Sequence, residues 1–437
     1  MTTRHVDLAL RARWILPIEP EGVLTDHVVL VDAGRVVAVA ARDDAERDYL
    51  PRETIDLEEH ALLPGLINAH THAAMSLLRG IADDVPLATW LSDHIWPREA
   101  KFVSPEFVHD GALLGAAEML RGGTTCCNDM YFYPEASARA YQAAGMRAVL
   151  GLPVLDFPTP YASDADAYLR AGLAARDAFK HAPRLTFMLA PHAPYTVGDA
   201  TFEKIVTYSR QLDIPIQSHV QETKQEVDDA MRATGESPLT RLDRLGATGA
   251  GFVAVHGVHL SQVDVELLAR QGCSVVHCPT SNMKLASGAA PIAELLARGV
   301  NVALGTDGPA SNNRLDLFSE VRLASLLAKL TTGNAAAMPA ATALRMATLG
   351  GAKALSLDHL IGTIEAGKQA DLIAVDLSHL DDAPVYDPVS HLVHVTGRER
   401  VSDVWIDGER VVKQGELNTI DEAALRARVS LWRARLG

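Results

Sequence analysis

Residues 61–72 of the chain read ALLPGLINAHTH, an apolar stretch that ends in two histidines separated by one threonine. The stretch before His70 is short and uncharged, which is typical of a β-strand buried on both faces. In an extended chain, side chains two residues apart point the same way, so His70 and His72 can face a common point. This pattern, a short apolar strand with reactive side chains at its end, recurs along the chain and indicates the fold.

Seven further apolar strands follow, at residues 124–130, 146–154, 184–192, 214–220, 252–258, 273–279 and 301–307. Helices with recognisable ends separate them; Ser104 and Pro105 begin one of these helices, and Gly122 with Gly123 ends it. Eight strands alternating with helices over about 300 residues predict an α/β fold of the (β/α)8 TIM-barrel class. A doubly wound open sheet is the alternative, but it would gather its polar residues at one switch point instead of along many strand ends.

The two ends of the chain are similar to each other and unlike the middle. Residues 28–40 (VVLVDAGRVVAVA) and 403–412 (DVWIDGERVV) each place a tight turn between alternating apolar residues, as in β-hairpins. Residues 362–376 add a further strand. We therefore expect a small composite β-sandwich built from residues 1–60 and 362–437, beside a barrel formed by residues 61–361.

Composition excludes several classes of protein. The 437 residues are 48% hydrophobic and 22% charged, as in globular proteins. The net charge of -15 argues against nucleic acid as a partner, and no apolar run approaches the length of a membrane span or forms a secretory signal. The four cysteines form neither a disulfide framework nor a CxxC zinc site, so we expect a cytoplasmic protein.

Side chains that can bind a metal end several of the predicted strands. His219 ends the strand at 214–220, His256 ends the strand at 252–258, and Asp307 follows the last strand. Each histidine could be an ordinary core residue, but several strands that each end in one favour a shared site at the barrel rim. Together with His70 and His72 they suit one divalent ion, Zn²⁺ or Fe²⁺. His256 is either a ligand or a polariser of the nucleophile, and its spacing does not decide between the two.

Such a site predicts water activation and hydrolytic attack on a trigonal carbon. Glu222 lies three residues after His219, off the face of that ligand, and is a candidate general acid/base. Asp307 can contact both the ion and the water. The G-x-S-x-G motif and the paired H-x-E and P-C-x-x-C motifs are missing, which argues against two other kinds of hydrolytic site.

The sequence resembles the amidohydrolase superfamily in four blocks, PGLINAHTHAAMSLLRG, SHVQET, VAVHGVHL and ALGTDGPASNN. Within it, the chain resembles the branch of 5'-methylthioadenosine / S-adenosylhomocysteine deaminases in four more, PLATWLSDHIWPREA, NDMYF, APHAPYT and HCPTSNMKL. The resemblance covers nearly the whole chain, including the composite β-domain. It implies hydrolytic deamination of the adenine ring of 5'-methylthioadenosine, or of S-adenosylhomocysteine or adenosine, to the inosine analogue and ammonia.

The resemblance also assigns roles to individual residues. The metal ligands it implies are His70, His72, His219 and Asp307. Glu222 falls on the acid/base position, and His256 falls on a catalytic position outside the metal shell. The substrate contacts it implies are Trp90 as an apolar wall, Glu99 for the ribose hydroxyls and His192 for the nucleoside. Each has a structural alternative: Trp90 could be core packing, and Glu99 could be a solvated acid at a helix start, although its functional role is favoured.

One difference between this sequence and its relatives bears on the choice of substrate. Relatives that accept S-adenosylhomocysteine are expected to carry arginines after the third strand for its carboxylate, but residues 151–168 (GLPVLDFPTPYASDADAY) hold no base. An unpaired carboxylate in a closed pocket is costly, so we expect a preference for the methylthio substrate. A guanine-type deaminase or triazine hydrolase is the alternative enzyme, and a non-catalytic scaffold would predict damaged ligands. We expect a small purine nucleoside as partner, no nucleic acid or membrane, and a homo-oligomer as an open alternative to the monomer.

Overall fold

The structure is a computed structural model that describes residues 3–436. Its strands are β1 (Arg4–Ile15), β2 (His27–Asp32), β3 (Arg35–Ala41), β4 (Tyr49–Pro64), β5 (Leu66–Thr71), β6 (Thr124–Met130), β7 (Arg147–Val154), β8 (Leu185–Pro191), β9 (Ile216–Val220), β10 (Phe252–His256), β11 (Ser274–His277), β12 (Asn301–Leu304), β13 (Leu372–Asp376), β14 (Val401–Ile406), β15 (Glu409–Lys413) and β16 (Glu416–Leu417).

The α-helices are α1 (Arg42–Asp48), α2 (Leu87–Thr89), α3 (Trp96–Phe102), α4 (Pro105–Arg121), α5 (Pro134–Ala144), α6 (Ala165–Phe179), α7 (Asp199–Leu212), α8 (Lys224–Thr234), α9 (Pro238–Arg244), α10 (Gln262–Gln271), α11 (Pro279–Lys284), α12 (Ile292–Ala297), α13 (Leu317–Thr332), α14 (Ala340–Arg345), α15 (Gly351–Ala354), α16 (Pro388–His394) and α17 (Glu422–Leu436). Short 3₁₀-helices lie at Ala73–Leu78, Leu380–Asp382 and Arg398–Arg400, and π-helical turns lie at Trp90–Ile95 and Met346–Gly350.

Strands β5 to β12 form one parallel sheet in which each strand pairs with the next along the chain. The sheet closes between its first and last strands, because the Asp307 N–H donates to the His70 carbonyl at 3.1 Å. The Thr306 N–H also donates to the Asn68 side-chain oxygen across this seam, at 3.0 Å. Sequential pairing and closure confirm the TIM barrel and exclude the open sheet, so the carboxyl ends of all eight strands share one rim.

The barrel strands are buried on both faces, which explains their nearly continuous apolar runs. The interior contains small and branched side chains, among them Ile67, Val149, Val255, Val276 and Ala303. One polar pair lies inside as well, where the Asn128 side chain donates to Gln217 at 2.9 Å and to the Ala69 carbonyl at 3.0 Å. Paired amides satisfy one another and avoid the cost of a buried orphan.

Helix α4 illustrates how the connecting helices are specified locally. The Ser104 hydroxyl accepts the N–H of Phe107, Pro105 occupies the first turn and Gly122 caps the end, as the sequence predicts. Gly123 follows with a φ of +79°, a conformation that favours glycine, and leads directly into β6. Because these signals lie within a few residues of each other, the boundaries of this helix follow from sequence alone.

The second sheet is mixed and takes strands from both termini, in the order β16-β15-β14-β13-β4-β1-β2-β3. It folds back on itself, since the Ala370 N–H donates to the Gly34 carbonyl and the Gly408 N–H donates to the Ala370 carbonyl. Its two halves enclose a common apolar cluster, as expected for the composite β-domain. Strand β4 runs on to Pro64, immediately before β5. The domain boundaries at residues 60 and 362 stay a prediction.

Several polar contacts hold the periphery to the barrel, and two of them show how. Arg147, at the start of β7, donates to both carboxylate oxygens of Asp371 at 2.8 and 3.1 Å and also contacts Asp407. Trp432 of α17 donates its indole N–H to Asp110 of α4 at 2.9 Å. The basic C-terminal segment is therefore a docked helix. Among the helices of residues 3–436, none has both the length and the apolarity needed to cross a membrane.

Candidate active site

The four predicted metal ligands converge at the carboxyl rim of the barrel. His70 lies in β5, His72 just after it, His219 in β9 and Asp307 shortly after β12. The Nε2 atoms of His70 and His219 are 3.2 Å apart. Oδ1 of Asp307 lies 3.3 Å from Nε2 of His72 and 3.6 Å from Nε2 of His70. Residues separated by more than two hundred positions thus point their ligand atoms at one location.

The donor chemistry of this cluster fits a divalent cation. Nδ1 of His72 lies 2.6 Å from the Met130 carbonyl, and Nδ1 of His219 lies 2.7 Å from the His192 carbonyl. Because a carbonyl only accepts, each Nδ1 carries a proton. Nε2 of His72 then faces Oδ1 of Asp307, and Nε2 of His219 faces Nε2 of His70. Burial also lowers the pKa of His70 to about 4 and that of His219 well below its ordinary value, so both rings are neutral. Converging lone pairs and a carboxylate repel one another unless a cation lies between them.

The two carboxylate oxygens of Asp307 have different partners. Its Oδ2 accepts the hydroxyl of Ser281 at 2.7 Å and the hydroxyl of Ser311 at 2.6 Å. Oδ1 is thereby left to face the histidines. The two serines fix the orientation of the carboxylate, which is the role that surrounding hydrogen bonds play around metal ligands.

Glu222 and His256 lie beside the ligand cluster and face each other. Nε2 of His256 is 3.6 Å from Oε2 of Glu222, and Nδ1 of His256 donates to the side-chain oxygen of the buried Asn282 at 2.9 Å. Burial raises the pKa of Glu222 above its ordinary value, the charge of His256 opposes the rise, and that of Asp307 adds to it. Burial alone would lower the pKa of His256, but Glu222 and Asp307 together raise it. A carboxyl with a raised pKa is suited to give and take protons near neutral pH.

Three residues at the same rim have a strained backbone. Gln221, His256 and Asp307 have φ values of 52°, 71° and 60°, in the left-handed region that non-glycine residues avoid. Each such residue costs roughly 1–3 kcal/mol and persists only where its surroundings over-determine the conformation. Three such residues therefore lie at the ends of three barrel strands, beside the ligand cluster.

A cavity of about 250 Å³ opens directly above the ligand cluster. It is lined by eight of the nine predicted site residues, namely His72, Trp90, Glu99, His192, His219, Glu222, His256 and Asp307. The ninth, His70, is fully buried beneath it. The remaining lining is mostly apolar and, within the described part of the chain, includes no lysine or arginine. The geometry therefore brings all the predicted residues into one site.

Glu99 and Trp90 reach the cavity from the segment between β5 and α4. Glu99 lies in α3 and is buried, which excludes a solvated acid at a helix start. The Tyr131 hydroxyl donates to its Oε1 at 2.6 Å, and burial raises the pKa of Glu99 to about 7 although that hydrogen bond opposes the rise. Trp90 lies in the π-helical turn; its side chain both lines the cavity and packs in an apolar cluster.

His192 follows β8 and serves the site through two different groups. Its ring lines the cavity, and Nδ1 lies 3.0 Å from the Thr196 hydroxyl. Its backbone carbonyl accepts the Nδ1 proton of His219. Burial lowers the pKa of the His192 ring to about 3, so the ring is neutral.

Sequence reasoning missed the residues that orient the site. Ser281 and Asn282 lie in the block HCPTSNMKL, Tyr131 lies in NDMYF and Ser311 in ALGTDGPASNN. Their presence in these blocks was the available signal. Ser281, Asn282 and Tyr131 act on residues that lie 26 to 32 positions away in other elements, and spacing along the chain does not reveal such pairings. Ser311 lies only four residues from its partner Asp307.

Comparison with known proteins gives the family. The profile described as "Amidohydrolase family" matches residues 61–411. The chain belongs to the amidohydrolase family. A relative from Teredinibacter turnerae named 5-methylthioadenosine/S-adenosylhomocysteine deaminase is 47% identical over 436 residues, which cover 100% of this chain and 99% of the relative.

Two solved structures agree with the fold. An adenosine deaminase from Xanthomonas campestris, crystallised with bound zinc, is 49% identical with a TM-score of 0.98, over 100% of this chain and 99% of that one. An atrazine chlorohydrolase from Arthrobacter aurescens is 24% identical with a TM-score of 0.90, over 97% of this chain and 99% of that one. At that lower identity the second likeness bears on the fold alone.

Proposed function

We propose that this amidohydrolase deaminates the adenine ring of 5'-methylthioadenosine, giving the inosine analogue and ammonia. The observation that carries the proposal is that one cavity combines a metal-ligand cluster, a glutamate with a raised pKa and a second, buried carboxylate suited to a ribose diol. The name of the relative that is 47% identical supports the same reaction.

We infer that the metal is one divalent ion, Zn²⁺, with Fe²⁺ as the alternative that accepts the same donors. The residues that would hold it are His70, His72, His219 and Asp307. When bound, such an ion lowers the pKa of a water molecule and so supplies a nucleophile at neutral pH. The converging Nε2 lone pairs and the zinc in the structural neighbour support this assignment.

The protein's own residues handle the protons. Glu222 takes a proton from the attacking water and delivers it to the purine ring nitrogen as oxygen adds to C6. His256 faces Oε2 of Glu222 at 3.6 Å and holds the incoming oxygen by a hydrogen bond from Nε2. Asp307 helps to orient the water, accepts the proton that remains on the C6 hydroxyl and passes it to the amino group. The C–N bond then breaks, ammonia leaves, and the C6 oxygen becomes the carbonyl of the inosine analogue.

The rest of the cavity binds the nucleoside. Glu99 accepts hydrogen bonds from the ribose hydroxyls, Trp90 forms an apolar wall, and His192 contacts the nucleoside. Since the described lining holds no lysine or arginine, the carboxylate of S-adenosylhomocysteine would lack an ionic partner there. We therefore propose that 5'-methylthioadenosine is the preferred substrate. A free guanine or a triazine offers no diol to Glu99, so those alternatives are not favoured.

The substitution Glu222→Gln tests the chemical assignment. The glutamine keeps the size of the side chain but lacks the carboxyl group that gives and takes a proton. Turnover should therefore fall by about 10²- to 10⁴-fold while bound zinc is retained. Steady-state deamination and zinc content per chain are the measurements. Glu203→Gln, on the exposed face of α7, is the matched control and should change neither. Normal turnover by Glu222→Gln would make the assignment wrong.

We also infer a cytoplasmic location, which the four free, buried cysteines support. A small purine nucleoside is the partner that the cavity accommodates, and the acidic net charge of -15 argues against nucleic acid. A homo-oligomer stays a prediction.

A further inference from the structure

The backbone that carries Glu222 needs external support. Glu222 lies in the turn between β9 and α8, directly after Gln221, whose φ of 52° is unfavourable for a non-glycine residue. The carbonyl of Gln221 accepts the N–H groups of Val258 and His259 at 3.1 and 3.0 Å. These contacts fix one side of the Gln221 peptide. The N–H groups that follow each other at Gln221 and Glu222 require acceptors of their own.

Glu226 supplies both acceptors. One oxygen of its carboxylate accepts the N–H of Gln221 at 3.0 Å, and the other accepts the N–H of Glu222 at 2.9 Å. Glu226 is itself fixed, because its N–H donates to the hydroxyl of Thr223, the residue that caps α8. The first turn of α8 and the Glu222 backbone therefore form one closed hydrogen-bonded unit.

Glu226 has no direct route to the reacting atoms. Of the described residues, those that line the 250 Å³ cavity include Glu222 but not Glu226. Glu226 instead lines a wider groove of about 1250 Å³ beside the cavity. Its hydrogen bonds to Gln221 and Glu222 go to the backbone only. Through these hydrogen bonds Glu226 acts on the position of Glu222. Against the effect of burial, its charge also adds to those of Glu222 and Asp307 in raising the pKa of His256.

We propose that Glu226 is a positioning residue that holds Glu222 in its reactive orientation through a two-oxygen clamp on the backbone. This role rests on the proposed acid/base function of Glu222. A carboxylate is required because each of its two oxygens accepts one N–H, that of Gln221 or that of Glu222. The side-chain amide of a glutamine has one acceptor oxygen, and its NH₂ group would repel the other N–H. A misplacement of about 1 Å at a reacting group can cost about 10²-fold in rate.

The test compares Glu226→Gln with Asp228→Asn in zinc-loaded, full-length protein. Asp228 lies on the same helix and pairs with Lys224 at the exposed surface, so its variant removes the same charge without touching the clamp. We expect Glu226→Gln to lower kcat for 5'-methylthioadenosine by about 10- to 100-fold with KM changed by less than about twofold. Zinc content should not change. Asp228→Asn should match the wild type.

Hydrogen exchange supplies a readout that does not depend on the substrate. The amides of Gln221 and Glu222 should exchange at least about tenfold faster in Glu226→Gln, while peptides from the far side of the barrel keep their rates. If the glutamine variant does not fold, Glu226→Asp replaces it. That change keeps the charge but withdraws the carboxylate by one methylene, so that it reaches at most one of the two N–H groups.

The outcomes separate this proposal from the proposed function. If Glu222→Gln is inactive while Glu226→Gln keeps wild-type kcat and slow amide exchange, the clamp is overturned and the acid/base role stands. A loss of kcat that merely follows lost zinc also overturns the clamp. If Glu222→Gln turns over normally, the proposed function itself fails, and exchange at Gln221 and Glu222 still decides whether the clamp exists.

Discussion

Three of the predicted metal ligands divide their atoms between positioning and chemistry. His72 and His219 use Nδ1 on backbone carbonyls and leave Nε2 free, while Asp307 uses Oδ2 on two serines and leaves Oδ1 free. The sequence predicted the residue types because they end apolar strands. It did not predict partners such as Asn282 for His256, because these two residues lie 26 positions apart in different elements.

The pH dependence of substrate binding should report on Glu99. Burial raises its pKa to about 7, so the carboxylate is neutralised as the pH falls through that value. A protonated Glu99 loses acceptor capacity for the ribose hydroxyls, so KM for 5'-methylthioadenosine should rise about tenfold for each pH unit below 7. Binding should therefore be tightest above pH 7.

Steady-state KM values between pH 5 and 8 check this dependence. In Glu99→Gln, KM should be high and independent of pH over the same range, because the titrating group has gone. A wild-type KM that is the same at pH 8 and at pH 6 would contradict the assigned contact between Glu99 and the ribose.

Among the elements, strands were predicted more closely than the segments between them. The apolar run at 214–220 corresponds to β9 (Ile216–Val220), since burial on both faces forces a continuous apolar pattern. The segment that carries Trp90 and Glu99 consists of short helical turns with a π-helical turn at Trp90–Ile95. Such short pieces have little periodicity of their own, and packing over the rim determines their path.

The junction between β7 and the second sheet makes a prediction about stability. Arg147→Met would leave the carboxylate of Asp371 buried and without its cation, because Arg147 holds both of its oxygens. We expect a loss of about 3–5 kcal/mol in the free energy of unfolding. Urea titration of the zinc-loaded protein is the measurement.

Arg232→Met is the matched control for that experiment. Its partner Asp229 lies on the exposed surface of α8, and such pairs contribute about 0–1 kcal/mol. Equal free energies of unfolding for the two variants would show that the ion pair at the start of β7 does not hold the second sheet to the barrel.

For the whole molecule, the order of elements made the architecture predictable. Eight strand–helix units and two similar ends indicated a barrel and a composite β-domain, because sequential strands pair with their neighbours. The way the sheet meets the barrel was not predictable, since Arg147 and Asp371 are far apart in sequence. The site also joins the first and last strands, because His70 and Asp307 lie on either side of the barrel seam.

Removal of the metal should therefore loosen the barrel. A ligand present at about 100 times its Kd stabilises the folded state by about 2.7 kcal/mol. Dialysis against a chelator should lower Tm by roughly 2–5 °C, measured by calorimetry. The same treatment should have a smaller effect on His70→Asn, which lacks one ligand. An unchanged wild-type Tm after complete loss of zinc would contradict a metal site across the seam.

Ultraviolet absorbance tests the proposed deamination most directly. The zinc-loaded protein is assayed with 5'-methylthioadenosine and, in parallel, with S-adenosylhomocysteine, adenosine and guanine. We predict the spectral change from adenine to hypoxanthine, fastest with the methylthio compound and slower with S-adenosylhomocysteine, because the described cavity lining offers its carboxylate no lysine or arginine. Equal rates with these two would contradict the substrate preference. No change with any adenine nucleoside, despite bound metal, would contradict the central claim.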